Sequence, residues 1–367
     1  MTDPAEPGGD RPLLLPPEVA PSDDLTWAAR RMPPGLDSPY DGDPAFDRCF
    51  DRLARALHRR DHPHVLLVAE RGVGPAAVLA EAARRAARDP AGVLGGRHFL
   101  RVDGRFVPPD EARARLTAVL AHVAPHPGLV ACLDGLPDLL LPGYGAPNRP
   151  ILLAALARAR CHLVAPLTPR EFDDLAADDA AFAEFFTRVD LPEPGPDTAA
   201  RLVAHMARGL ADRYRVAVDP VAVRRAVTLT ANYVFNDHLP GKAVRVLTQA
   251  CEDADFDRRR DGGGDPRVTE DDVVRVIAAR TGIPEPTLRG VADRTDYAEA
   301  LGEVVFGQAH AVREVATELG LIRAGMTDPT KPAAVMLFLG QTGTGKTETA
   351  KALARFYSAS GRLRTYA

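Results

Sequence analysis

Eight residues near the far end of the chain, GQTGTGKT at 340–347, restrict the possible folds more than any other stretch. An apolar run, Ala333–Leu339, leads into them, and a helical pattern begins at Glu348. Strand, glycine-rich loop and helix in that order give the pattern G-x-x-x-x-G-K-[ST] its physical meaning. Gly340, Gly343 and Gly345 let the backbone curl until consecutive N–H groups face one anion. The positive end of the following helix adds to that field. Such a loop ends a buried parallel strand, so the expected class is α/β, a parallel sheet with helices on both faces.

The chemistry follows from the side chains. Lys346 is placed to reach the β- and γ-phosphates of a nucleotide, and the Thr347 hydroxyl to coordinate Mg²⁺. ATP and Mg²⁺ are therefore the expected cofactors, with Gly340, Gln341, Thr342, Gly343, Thr344, Gly345, Lys346, Thr347 and Glu348 as the binding segment. The chain has only four lysines, Lys242, Lys331, Lys346 and Lys351, and 42 of its 46 basic residues are arginine. Chemistry that needs an ammonium group is thereby excluded from the first 241 residues.

Upstream, the chain alternates. Phe46, Phe50, Leu53 and Leu57 recur at helical spacing before an apolar strand at Val65–Ala69, a glycine turn and an alanine-rich helix to about Ala87. Further strands are expected at His98–Val102, Leu129–Leu133 and His162–Pro166. Residues 196–255 lose the strand signal and read as helical throughout. Arg258–Pro266 carries a linker composition, and Thr269 caps a helix that runs from Glu270 and stops before Gly282. Residues 1–38, rich in Pro, Gly and Asp, read as a disordered leader with Trp27 as a loosely packed aromatic.

Composition removes several alternatives. A net charge of −4 without a basic stripe argues against a nucleic-acid remodeller. The longest apolar run has seven residues, far below the ~20 of a membrane helix, and no secretory signal is visible. Cys49, Cys132, Cys161 and Cys251 are scattered in a way that suits neither zinc nor a disulfide framework, which fits a reducing cytoplasm. His58, His62 and His64 read as a solvated helix end, and Asp23–Asp24 and Asp178–Asp179 as surface.

Val304–Gln308, Arg323–Pro329 and Leu337–Leu353 together resemble the opening of the second ATPase module of Clp-type AAA+ unfoldases, and Thr281–Pro284 resembles the linker into that module. By this resemblance Phe306, Gly307 and Gln308 would sit beside the adenine. More weakly, Leu239–Ala243 resembles the family's L-P-x-K-A in the first module's helical lid, and Arg115–Leu120 its R-L-K-A-V-L. About 330 residues, from Tyr40 onward, follow the family's order of elements.

The departures matter as much. Where the first module of the family has G-E-P-G-V-G-K-T, this chain has AERGVGPA at 69–76, with Pro75 replacing the phosphate lysine and Ala76 the magnesium hydroxyl. The acidic pair expected after the next phosphate-site strand is Asp134–Gly135, and the family's paired arginines fall at Glu184–Phe185. Loss of four catalytic parts implies a first module that does not hydrolyse ATP. The aromatic gripping loop is shortened to Val107–Asp110; Phe106 could substitute for it, but reads rather as a core residue ending a strand. No folded domain is expected before residue 40 and no coiled-coil insertion within 253–268.

These readings divide the chain into the leader (1–38), a degenerate AAA+ α/β module (39–195), a helical lid (196–257), a linker (258–303) and the start of a second P-loop module (304–367). The chain stops at about the second strand of that module and is read as a piece of a longer protein. The resemblance implies a cytoplasmic, ring-forming and hexameric ATPase that unfolds polypeptides, with or without a protease partner, and binds neither nucleic acid nor membrane. The alternative is a regulatory or structural ring component that binds ATP without remodelling proteins.

Overall fold

In a computed structural model, residues 11–33, 37–61, 63–140, 148–235, 237–261, 266–289, 297–323, 334–341 and 343–357 are described. The chain divides into two compact units, Met1–Met206 with Asn236–Lys242, and Ala207–Phe235 with Ala243–Ala367.

The first unit is an α/β sheet. In chain order it runs β1 (Ser22–Asp24), α1 (Leu25–Arg30), α2 (Pro44–Leu57), β2 (Val65–Val68), α3 (Pro75–Arg88), β3 (His98–Asp103) and α4 (Pro109–Val123). It continues β4 (Leu129–Asp134), α5 (Leu136–Leu140), α6 (Arg149–Leu156), β5 (His162–Leu167), α7 (Pro169–Asp178), α8 (Ala180–Glu184), β6 (Thr187–Asp190) and α9 (Pro196–Tyr214), which crosses into the second unit. The strand order is β1-β3-β4-β5-β2-β6, parallel except for β1. Every residue of β2 is buried, as a parallel strand covered on both faces requires. Leu66, Leu100, Ala131 and Leu163 pack one face with α4–α8, while Leu67, Phe99, Val130 and Val164 pack the other with α2 and α3. The four expected strands and the two flanking helices are all present.

Residues 11–33 are not a disordered leader. β1 adds an antiparallel strand to the outer edge of β3, and Leu15, Val19 and Ala20 are buried in the sheet's core. Asp24 is buried rather than on the surface. It accepts the N–H groups of Leu13 and Trp27 and lies 2.9 Å from His98 Nε2. Burial alone would raise its carboxyl pKa, but these partners outweigh it and hold the group below the usual carboxylate range. His64 is likewise no part of a solvated end. Its Nδ1 accepts the Leu163 N–H at 3.1 Å, and burial pushes the ring down to about 4. His62 lies outside the described residues.

The second unit contains β7 (Ala217–Val218), α10 (Pro220–Tyr233), α11 (Gly241–Asp261), which begins in the first unit, β8 (Arg267–Val268) and α12 (Glu270–Thr281). It ends with α13 (Glu285–Leu288), α14 (Tyr297–Gly302), α15 (Ala309–Arg323) and α16 (Lys346–Tyr357). Here the sequence-drawn boundaries shift. α11 continues through Arg258–Arg260, so the linker composition starts later than its arginines. α12 begins at a Thr269–Asp272 capping box, ends at Gly282 (φ +75°) and buries Val273, Val274 and Ile277. Arg225 of α10 pairs with Glu270 and donates to the Leu288 carbonyl, so residues 270–288 belong to the helical body rather than to a linker. β7 and β8 pair in parallel, a ladder too short to leave a sequence signal. α14 packs on α15 through Leu301, Val312 and Val315.

Candidate functional site

The intact loop grows out of a small core. Leu301, Val305, Val312, Val315 and Leu319 bury together with Ala352 of α16, and Met336 and Phe338 pack against them. Residues 334–340 show the burial pattern of an extended chain with one covered face. Val335, Leu337 and Leu339 are more than four-fifths exposed, whereas Met336 and Phe338 between them are half-buried. Among the described residues no strand pairs with this run, so the expected strand is present as an extended segment without a ladder.

The run turns at Gly343 and Gly345, both at φ +85°, where nothing but glycine avoids strain. Lys346 opens α16. Its ammonium folds back to donate to the carbonyls of Gly340, at 2.7 Å, and Gln341, at 2.5 Å. Thr344 Oγ1 also donates to Gln341, and Thr349 Oγ1 to Gly345, so the loop is closed by its own polar groups. Gly340 keeps φ outside the left-handed region; a Cβ there would meet Thr344 Oγ1 at 3.0 Å. Thr347 and Glu348 stand exposed on the first turn, Glu348 paired with Lys351. Thr342 lies outside the described residues.

Gln308, Thr344 and Lys346 line one groove together with Val315, Met336 and Phe338. Phe306 and Gly307 do not line it; Phe306 is exposed beside a Gly307 at φ +74°. The donor set fits an ATP–Mg group. An ammonium held on the loop carbonyls, a glycine curl and the positive end of a twelve-residue helix come together at this turn, a set suited to an anion. Lys346 and the loop N–H groups would hold phosphate, and Thr347 would supply a hydroxyl to magnesium. No group of three or more His, Cys, Asp or Glu is placed to hold a metal among the described residues.

The loop at 69–76 in the sheet unit has the same curl. Gly72 (φ +97°) and Gly74 (φ +84°) precede α3, whose first residue is Pro75. Proline fits the first helical position, but it brings neither charge nor N–H to the cradle. At the end of β4, Asp134 accepts Arg101 Nε at 2.9 Å, and Gly135 (φ +76°) presses against Arg105. A Cβ at 135 would lie 2.7 Å from the Arg105 backbone nitrogen, so no carboxylate can be mounted there without moving that chain. Phe185 stacks on buried His64, with ring centroids 5.6 Å apart, rather than reaching outward as an arginine would.

Phe106 corrects the sequence reading outright. It is 91% exposed, not core, and its φ of +58° is left-handed. Asp138 Oδ2 accepts its N–H at 3.0 Å, and Asp103 clamps the neighbouring Arg105 through both oxygens. A bulky residue held in this region costs of order 1 kcal/mol, so the surrounding contacts impose the turn that turns the ring outward.

No protein-family model matches the chain. Among curated proteins it is 27% identical over 322 residues to a ClpA homolog protein of Fuscovulum blasticum, covering 83% of this chain and 40% of that protein. It is 26% identical over 388 residues to the chaperone protein ClpB of Oceanobacillus iheyensis, covering 85% and 47% respectively. With the ATP-dependent Clp protease ATP-binding subunit ClpC of Staphylococcus aureus it shares 27% over 381 residues, covering 84% and 46%. The chain thus spans less than half the length of these relatives. Among solved structures it superimposes on the closed state of Hsp104 with ATPγS and FITC casein at a TM-score of 0.78 and 24% identity, covering 93% of this chain and 60% of that one. The Saccharomyces cerevisiae Hsp104–ADP complex gives 0.73 and 25%, covering 91% and 57%. Motifs, order of elements and these likenesses agree: the chain is similar to the Clp-type AAA+ chaperones and has their fold.

Proposed function

We propose that this chain is the ATP-binding part of a Clp-type AAA+ protein-unfolding ATPase. In this reading the sheet unit and its helical lid form a first module that is an inert scaffold toward nucleotide, and residues from about 297 onward open a second module that binds ATP–Mg. The single observation that carries the assignment is the contrast at two equivalent helix starts, where Lys346 brings an ammonium onto the loop and Pro75 brings nothing. The outward Phe106 favours a protein that touches polypeptide over a purely structural ring component, because an exposed, pinned aromatic suits an apolar side chain better than it suits solvent.

The relatives supply the context. One is named as a chaperone, another as the ATP-binding subunit of a protease, and an Hsp104 structure holds casein. Assembly into a hexameric ring, action on polypeptides and coupling to a protease are proposed for the protein that contains this chain. A cytoplasmic location is proposed with them; no described helix is long and apolar enough to cross a membrane.

Titration of the chain with a fluorescent ATP analogue tests the reading. Lys346→Ala should weaken binding by more than ~100-fold, since charge-assisted contacts to phosphate disappear. Affinity retained in that variant would move nucleotide binding to another site and overturn the assignment.

A further inference from the structure

In the sheet unit, the first loop does not stand open toward solvent on every side. Residues 237–242 belong to the same unit and lie against it. The Gly241 N–H donates to the Gly72 carbonyl at 2.9 Å, and His238 Nδ1 lies 3.3 Å from the Arg71 carbonyl. A Cβ on Gly72 would meet His238 O at 2.7 Å and Asp237 Oδ1 at 2.8 Å. A Cβ on Gly241 would meet the Gly72 Cα at 2.7 Å. Two backbones therefore touch at a pair of glycines, and neither tolerates a side chain. The segment is fixed from behind as well, because Glu193 Oε1 accepts the Leu239 N–H at 2.7 Å.

The chemistry of this contact is specific. Gly241 is the first residue of α11, so its N–H has no partner inside the helix and must find one outside. Gly72 supplies it from a loop whose carbonyl has no strand to join. Asp237 brings a carboxylate against the same glycine, and a negative group at that place opposes a phosphate.

We propose that Asp237–Gly241 is a built-in latch on the first loop, holding it in one arrangement by protein–protein hydrogen bonds whether or not ATP is present. The proposal rests on the reading of the first module as inert toward nucleotide and deepens it. The loop is not merely stripped of lysine and hydroxyl; its partner contacts are made by the chain itself.

Amide hydrogen exchange of the full chain, with and without ATP–Mg and with Lys346→Ala introduced to silence the second loop, tests the latch. The amides of Leu239 and Gly241 should be protected without nucleotide, and ATP–Mg should leave them unchanged. Gly241→Ala should speed their exchange at least ~10-fold by breaking the glycine contact. Should that variant fail to fold, Glu193→Ala removes the Leu239 acceptor and the carboxylate beside His238, and should give the same direction at Leu239. Fast exchange of both amides in the nucleotide-free parent would overturn the latch and leave the inert reading standing. Slower exchange on adding ATP–Mg in the Lys346→Ala background would overturn both, since the first loop would then bind nucleotide.

Discussion

The two glycine-rich loops have nearly the same backbone and opposite chemistry. Gly72 and Gly74 sit at φ +97° and +84° ahead of Pro75, while Gly343 and Gly345 sit at +85° ahead of Lys346. Their supports are reversed too. The first loop follows β2, buried and paired on both sides, whereas the second follows a run in which every other residue faces solvent. Glycine spacing thus encodes the curl, which forms ahead of Pro75 as it does ahead of Lys346. Lys346 and Thr347, which in the proposed reading select the ligand, stand on a segment that pairs with no strand among the described residues. Shape and chemistry at such a loop are separable traits.

The strands should show the larger separation. Leu67→Ala in β2 removes a fully buried side chain and should cost about 2–5 kcal/mol in urea unfolding followed by circular dichroism. Leu337→Ala, at a position 83% exposed, should change stability by no more than about 0.5 kcal/mol. Equal costs would mean that the second run is buried as deeply as the first and that the comparison is wrong.

Acid should act on the first loop's unit through His64. Its ring is held near 4 by burial, against an ordinary 6.5, so below pH 6.5 the unfolded chain takes up the proton more readily. The stability contributed by the neutral ring is complete above pH 6.5 and is lost as pH falls to 4, of order 3 kcal/mol. His162, which burial and the Arg97 charge also push down to about 4, adds in the same direction. Unfolding midpoints measured from pH 7 to pH 4 should fall, and His64→Gln should flatten the slope. A flat profile in the parent would contradict the burial of that ring.

Restoring chemistry to the first loop should have the smallest effect. Pro75→Lys with Ala76→Thr returns the ammonium and hydroxyl, yet Gly135 offers no carboxylate and its φ of +76° resists one. Glu184 carries the wrong sign for an arginine that contributes ~10³–10⁵ in rate in other nucleotide hydrolases. Phosphate release by this variant with Lys346→Ala added should equal that of Lys346→Ala alone. Turnover above it would show that other residues perform the catalysis.

Much of this was legible in the residues. The buried strands announced themselves as apolar runs, and Thr269 and Gly282 marked both ends of α12. β1 was not legible, because Ser22, Asp23 and Asp24 have no strand propensity and are ordered by the edge of β3. Trp27 and Leu15 follow the same logic, since the Trp27 N–H is capped by Asp24, itself held beside His98 of β3, and Leu15 is ordered by burial in the sheet's core. Phe106 misled because apolarity was taken for burial, whereas a left-handed turn fixed by Asp138 sends it outward. The glycine turn at Gly343 and Gly345 and the helix that follows were readable as a motif. The latch was not, because its information lies in two glycines 169 positions apart that must touch.

Counting nucleotides tests the central claim most directly. Equilibrium dialysis of the full chain against labelled ATP with Mg²⁺, at saturation, should give one nucleotide per chain, falling to none in Lys346→Ala. Two per chain in the parent, or one remaining in the variant, would show that the curl at 69–76 binds nucleotide without its lysine and would contradict the separation of shape from chemistry.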